Sequence, residues 1–309
     1  TMQDVINFYK LGQTSRVNAI VGQCTVDPHE VDGPNKHLLV THQLLRHTDK
    51  PIMSWPVATI GENEKVFKMI EMVMGEGYLA SHYFVTASVC ALSPLQYAQE
   101  SADTIIAYAR ANQPVTVLTA PMTGVSTPIS DIGALVAQNA ELLAGIVLAQ
   151  LVQPGVPVIY GTATYAADMR SGAFITGSPL SNLIDRAALQ LAQSLYHMPT
   201  RTLAGNTDAK VPDIQAGYET MQNYIQLLMG GTHMINECLG ILDGMMTVSY
   251  EKYIIDEEML RRVGCMMRGL DTSEASFDMG VLLETPHMEP FLMHESTLAA
   301  CSGQWQPDV

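Results

Sequence analysis

Asn206, Asp208 and His233 fall within one stretch, Pro199 to Glu237, and are the residues whose types and spacing best suit chemistry. An apolar run from Thr200 to Ala204 ends in the polar loop Gly205-Asn206-Thr207-Asp208. This passes through Pro212 and Asp213 into an amphipathic helix closed by Gly230-Gly231. A second short strand, His233 to Asn236, follows at once. Strand, loop, helix and strand make the right-handed crossover that joins parallel neighbours, and loops at the C-terminal ends of such strands carry the reactive groups of α/β folds. The Asn206 amide can orient a substrate or satisfy its own turn. Asp208 and Asp213 can cap the helix that follows. The His233 ring can hydrogen-bond a ligand or serve structure. Its place at a strand's start is where barrels keep stability residues, so a catalytic role requires the strand to begin later or the ring to point inward.

The elements that must position these groups alternate along the chain. Asn18 to Cys24, Lys50 to Ala58, a run inside Leu79 to Leu92, Pro114 to Ala120 and Val156 to Gly161 read as strands. Helices are expected over Glu62–Met74, from the capping box Ser93-Pro94-Leu95-Gln96 to Ala111, over Ser130–Val152, after Ser178-Pro179, and from an Asp256 cap to Leu270. The Ser130–Val152 helix is apolar almost all round and should be heavily covered, while its Glu141 reads either as a buried carboxylate near the barrel interior or as part of a solvated stripe. The loop after Val156–Gly161 carries Tyr165, Asp168 and Arg170. Six or seven alternations of short β-branched runs with long helices favour a (β/α)8 barrel, read here as one domain over residues 1–309 and truncated at both ends.

With 309 residues and 47% apolar composition the chain can bury a sizeable core. A formal charge of −15 argues against nucleic acid as a partner, because phosphate contacts need a basic face. The five cysteines (Cys24, Cys90, Cys238, Cys265, Cys301) are scattered and lack a C-x-x-C pair, which suggests neither a disulfide framework nor a zinc site. His37, His42 and His47 recur every five residues, a spacing that turns each about 140° from the last on a helix and makes a poor metal site; no metal is expected. Ala140 to Val152 is too short to span a bilayer and no signal peptide opens the chain, so a cytoplasmic protein without membrane association is expected. The opening Thr1-Met2-Gln3-Asp4 reads as the middle of a longer protein. The 19 methionines fit buried stripes and read as core filler. No nucleotide-binding glycine motif is present, and a barrel lyase or aldolase would need a Schiff-base lysine or a metal cluster at the strand ends, where Lys210 is the one lysine in reach.

Five segments carry a resemblance over nearly the whole chain: SPLQYAQESADTII, PVTVLTAPMTGVSTPISDIGALVAQNAELLAGIVLAQL, PGVPVIYGTATYAADMRSGA, GSPLSNLIDRAALQLAQ and AGNTDAKVPDIQAGYE. Through them the chain resembles the trimethylamine/glycine betaine:corrinoid methyltransferases. The resemblance implies a TIM barrel that binds a methylated amine at its C-terminal mouth. A separate cognate corrinoid protein then brings the cobalamin cofactor, whose Co(I) takes the methyl group, and no cofactor is bound tightly by the barrel. Members acting on trimethylamine carry pyrrolysine at a position that falls here on Asn206, so the chain looks like the pyrrolysine-free branch, some of whose members demethylate quaternary amines such as glycine betaine. A quaternary ammonium is already charged, its departing amine is neutral, and no acid is required. It does need orientation and a cage tolerant of a desolvated cation, to which aromatic faces contribute about 0.5–2 kcal/mol each. On this reading Asn206 and His233 are the catalytic candidates. Tyr165 is the best cage aromatic, followed by Trp55, Phe84, Tyr97 and Tyr83, and Asp168 and Arg170 of the D-M-R-x-G motif lock their loop by an ion pair beside the substrate. A homo-oligomer is expected, and a non-catalytic paralogue that only binds methylated amines is the alternative.

Overall fold

A computed structural model describes residues 1–22, 26–55, 57 and 59–307 of the chain. In chain order the first part forms α1 (Met2–Thr14), β1 (Val21–Gly22), α2 (Lys36–His47), β2 (Ile52–Met53), α3 (Ile60–Met74), α4 (Tyr78–Ser81), β3 (Val85–Cys90) and α5 (Gln99–Arg110). Next come β4 (Val115–Thr119), β5 (Met122–Thr123), α6 (Asp131–Val152), β6 (Val158–Thr162), β7 (Tyr165–Ala167), β8 (Phe174–Ile175) and α7 (Pro179–Ser194). The last part holds β9 (Thr200–Leu203), α8 (Ile214–Met229), β10 (Met234–Asn236), the hairpin strands β11 (Ile241–Leu242) and β12 (Thr247–Val248), and α9 (Tyr250–Arg268). Short turns with α10 (Met279–Glu284) and α11 (Glu295–Ala300) follow, neither of which buries a residue.

Seven strands form one parallel sheet in the order β1-β2-β3-β4-β6-β9-β10. The sheet is curled. In a flat sheet of strands about 4.8 Å apart, β10 would stand roughly 20 Å from β2 and β3, yet Asn236 Nδ2 lies 3.4 Å from Ser88 Oγ and 3.2 Å from Met53 Sδ. The curl comes from the right-handed twist of βαβ units whose helices all pack on one face. Val85, Val115, Val117, Val158 and Tyr160 face Ile105, Tyr108, Leu142 and Ile146 there, forming the main core. Among the described residues the sheet runs from β1 to β10, a seven-strand half-barrel, in keeping with the expectation of a (β/α)8 barrel truncated at both ends. A groove of about 770 Å³ separates the two edges, lined by Asn18, Ile20 and Gly22 on one side and Met234, Ile235 and Asn236 on the other. The helix ring does meet across that groove. Tyr250 of α9 stacks on Phe8 of α1 with centroids 4.7 Å apart, and the Arg16 amide donates to Glu257 at 2.9 Å.

Local signals account for several helix ends. Thr59 caps α3, Asp213 caps α8 by accepting the Ala216 amide at 3.0 Å, and Gly75 stops α3. Two expected caps are corrected. Ser93-Pro94-Leu95-Gln96 opens no helix; Leu92 and Gln96 pair across a turn, and α5 begins at Gln99. Leu95 has φ 55°, which a helical first turn does not allow. Asp256 is no cap either, because α9 starts at Tyr250 behind Ser249 and Asp256 sits mid-helix, fully buried against Lys252. Among the described residues the expected Asn18–Cys24 and Lys50–Ala58 strands are Val21–Gly22 and Ile52–Met53; Gln23, Cys24, Pro56 and Ala58 lie outside the described residues. Lys36–His47 is a helix on which His37 is buried and His42 exposed, so the histidines part as their spacing requires. The apolar helix α6 reaches back to Asp131 and is, among the described residues, the one helix long and apolar enough to cross a membrane, which removes the length argument against a span. Its inner face is built into the ring between α5 and α7. Glu141, on that inner face, is buried and accepts from Ser93 Oγ at 2.7 Å, the Leu95 amide at 2.8 Å and Thr119.

Candidate active site

A cavity of about 420 Å³ opens at the C-terminal ends of β2, β3, β4, β6, β9 and β10, bordered by Trp55, Cys90, Tyr165, Arg201, Glu237 and Met245. Arg201 is its most unusual wall. In register it lies opposite Gly161, where a Cβ would approach Leu118 Cβ to 2.7 Å, so only glycine lets β4 and β6 pack at that level. Arg201 is 1% exposed, and its Nε and Nη1 have no hydrogen-bond partner among the described residues. Its Nη2 stands 4.0 Å from Glu237 Oε1, beyond hydrogen-bond reach. Burial pulls the guanidinium below its ordinary value and pushes the Glu237 carboxyl above its own, each charge partly offsetting the other's shift. A buried cation with unmade hydrogen bonds is costly, and such sites are where an anionic ligand gains most.

Tyr165 is buried, with its hydroxyl 3.5 Å from Met245 Sδ and its ring tilted against Phe174. It stands on β7, not in an open loop: β5, β7 and β8 form a small second sheet over the mouth. Trp55 borders the same cavity and carries Lys36 Nζ 5.7 Å from its ring centre. Cys90 lines the cavity, and the partial loss of water around its sulfur pushes the thiol above its ordinary value.

The remaining candidates separate. His233 stands at the opposite end of the sheet: its Nδ1 lies 2.9 Å from Thr200 Oγ1 and accepts the Thr200 amide at 3.2 Å, tying together the starts of β9 and β10. Its catalytic role is therefore corrected to a structural one. Phe84 precedes β3 and packs edge-on against Tyr78 in the main core, and Tyr97 donates to the Glu141 carbonyl at 2.8 Å on α6; neither borders the cavity. Tyr83 is exposed beside Phe84. Asp168 holds its turn by accepting the Arg170 amide at 2.9 Å and Ser171 Oγ at 2.8 Å, whereas the Arg170 guanidinium, 97% exposed, is 3.9 Å away. The backbone bond, not the ion pair, locks this loop. Asn206 is buried, with its side-chain Oδ1 unpartnered and its carbonyl held by Asn223 Nδ2 at 2.9 Å, but it is not among the cavity's wall residues.

What surrounds Asn206 is a rigid cradle. Glu219 accepts from Thr207 Oγ1 at 2.6 Å and the Asp208 amide at 2.8 Å, while Asp208 accepts from Thr176 and the Gly177 amide. Lys252 Nζ donates to the Gly205 carbonyl at 3.0 Å, Thr220 Oγ1 at 3.1 Å and Asp256 at 2.6 Å. From within α7, Asp185 reaches the end of β6, accepting from Thr162 and from the Thr164 amide at 3.1 Å, and burial pushes its carboxyl up to about 6. Sequence reasoning missed Arg201 and Glu237. The signal was available: a charged residue inside the β-branched run Thr200-Arg201-Thr202-Leu203 must be buried if that run is a central strand, and a buried arginine calls for an anion.

Comparison with known proteins places the chain among methyltransferases. It is 34% identical over 280 residues to glycine betaine methyltransferase of Desulfitobacterium hafniense (strain Y51), covering 90% of this chain and 58% of that protein. Identity is 34% over 278 residues to proline betaine:corrinoid methyltransferase of Eubacterium limosum, with 88% and 57% covered. Against trimethylamine methyltransferase MttB of Methanosarcina barkeri it is 35% over 273 residues, with 87% and 52% covered. The chain thus spans a little over half the length of these relatives. In fold it resembles the chain in the crystal structure of the hydroxylamine MtmB complex, with a TM-score of 0.57, 10% identity, and coverage of 96% of this chain and 64% of the other. The family model described as trimethylamine methyltransferase (MTTB) matches residues 1–309 from end to end, and the chain belongs to that family.

Proposed function

We propose that this chain forms the substrate-binding mouth of a cytoplasmic methyltransferase that takes a methyl group from a carboxylated quaternary amine such as glycine betaine and delivers it to a corrinoid protein. The observation that carries this reading is Arg201, a buried guanidinium with two unpaired nitrogens at the wall of a cavity that also holds Glu237 and Tyr165. A substrate carboxylate would receive charge-assisted bonds from Arg201. The ammonium would lie near the Tyr165 and Trp55 rings and the Glu237 carboxylate, whose charge opposes its own. The apolar wall of Ala87, Val89 and Leu118 excludes water. No acid is needed at the departing nitrogen, because it leaves as a neutral tertiary amine. The corrinoid, carried by its own protein, would supply the reduced cobalt that accepts the methyl group. The mouth suits such a partner: Leu92, Leu95, Val125, Met169, Val211 and Met246 stand exposed on the loops around it, an apolar rim on an otherwise acidic chain. An eighth strand seated between β1 and β10 would close the ring.

The test is spectroscopic. The chain is mixed with cob(I)alamin and glycine betaine, and formation of methylcobalamin is followed by absorbance. Methyl transfer from glycine betaine and none from trimethylamine is the expected result. Tight binding of glycine betaine without any transfer, with free cob(I)alamin or with a corrinoid protein, would assign the chain to a binding role instead.

A further inference from the structure

We infer that α6 carries the interface of a twofold-symmetric dimer of this chain. The sequence makes α6 apolar on nearly every side, yet the ring covers only its inner face. Along the outer face Ile132 is 71% exposed, Val136 64%, Val147 54% and Leu151 78%, with Ala140 and Ala144 exposed between them. Between Ile132 and Val152 the one ionisable residue is Glu141, which is buried and hydrogen-bonded. The stripe therefore presents no charge at all.

The order of residues in the stripe is close to palindromic. Reading outward from the level of Leu142, Ala140 matches Ala144, Val136 matches Val147 and Ile132 matches Leu151. An antiparallel copy of the same helix, related by a twofold axis at that level, sets valine against valine and the long aliphatic side chains against each other at the two ends. The alanines at the centre let the helices approach closely. This is the self-complementarity that an isologous interface requires. Leu183 of α7, 55% exposed, extends the patch to one side. Area is sufficient: a helix of 22 residues is about 33 Å long. With its neighbours at spacings of about 8–10 Å it offers a face of roughly 30 by 25 Å, close to the roughly 800 Å² per partner of a stable interface.

Other occupants fit less well. Two chains of charge −15 repel each other wherever carboxylates face, and this uncharged stripe is a surface on which they can meet. A membrane-lying helix would carry Lys or Arg on its flanks, and α6 contains neither. The helix covers β4 and β6, the middle of the strand order, so a segment filling the groove between β1 and β10 stands across the ring from it.

Sedimentation equilibrium of the chain at micromolar concentration should give twice the 33.6 kDa chain mass. Val136→Lys alone and Val147→Glu alone should each give the monomer mass, with far-UV circular dichroism unchanged because both positions face outward. The double variant should recover the dimer, since the twofold register brings each introduced lysine opposite an introduced glutamate. A monomeric wild type would overturn the proposal. So would single variants that stay dimeric, a double variant that stays monomeric, or association of the wild type with phosphatidylcholine vesicles in place of self-association.

Discussion

Lys252 of α9 holds the carbonyl of Gly205 at 3.0 Å, and so ties the last helix of the ring to the loop that begins at the end of β9. The same ammonium is paired at 2.6 Å with Asp256, whose Oδ2 also accepts the Gly240 amide at 2.7 Å, so one buried pair braces the loops after β9 and β10 together. Burial pushes the Asp256 carboxyl up to about 6, the lysine drawing it back in part. Lys252→Met leaves Asp256 buried without its partner and should cost about 3–5 kcal/mol, the usual penalty for halving a buried ion pair. Adding Asp256→Asn, whose amide oxygen still accepts from Gly240, should recover most of it. Urea denaturation of the wild type and the two variants checks this. Equal instability of the single and double variants would mean that Lys252 acts by packing alone.

Asp185 gives a pH dependence with a defined sign. Its folded carboxyl lies at about 6 against 3.8 when unfolded, so the folded state holds its proton more tightly. The resulting stabilisation is complete below the unfolded value and is lost as pH rises from about 4 through about 6. Two pKa units correspond to about 3 kcal/mol. Asp185→Asn keeps an oxygen to accept from Thr162 and the Thr164 amide and has no charge to desolvate. The variant should match wild type near pH 4 and exceed its stability above pH 6, measured by denaturant titration at each pH. A constant difference across that range would show that Asp185 is not the titrating group.

The sequence legibility of this fold follows from where information is local. Parallel strands such as Val115–Thr119 and Val158–Thr162 announce themselves as short β-branched runs between helices, and Asp213 marks the start of α8 by its side-chain cap. Position within the barrel is not local. Whether His233 faces the mouth or the base depends on one or two residues of strand boundary, and the ladder resolves it by pairing Met234 with Arg201. Aromatic type alone could not separate Tyr165, at the cavity, from Tyr97, half-buried on the α6 carbonyl, because both lie in loops or turns after strands in sequence. The seven-strand half-barrel was visible as alternation, and its truncation through the family resemblance, but which strands form the open edges was not, since an edge strand reads like any other.

Asn206 is a test of the loop rather than of the core. Its Oδ1 makes no hydrogen bond among the described residues, so Asn206→Ala removes a buried unsatisfied oxygen and should leave the melting temperature within a degree or two of wild type. If the amide orients substrate, methyl transfer should fall by tenfold or more in the same variant. A parallel loss of melting temperature and activity would assign Asn206 to the scaffold.

Arg201 is the residue for which stability and activity should move in opposite directions. A buried guanidinium with two unmade hydrogen bonds burdens the fold, and Glu237, partly exposed and 4.0 Å away, compensates only in part. Arg201→Met fills similar volume without charge and, because Glu237 is partly exposed and at 4.0 Å makes no hydrogen bond to the guanidinium that it would lose, should be close to neutral in stability or slightly stabilising. The same change removes the partner of a substrate carboxylate. For glycine betaine kcat/KM should fall about a hundredfold, the equivalent of about 3 kcal/mol for a charge-assisted contact left unmade. A quaternary amine without a carboxylate, such as tetramethylammonium, supplies the control: its slow transfer should be unchanged or improved, because it never used the guanidinium. Equal losses for both amines, together with a lower melting temperature, would make Arg201 a structural strut and remove the carboxylate from the proposed mode of binding.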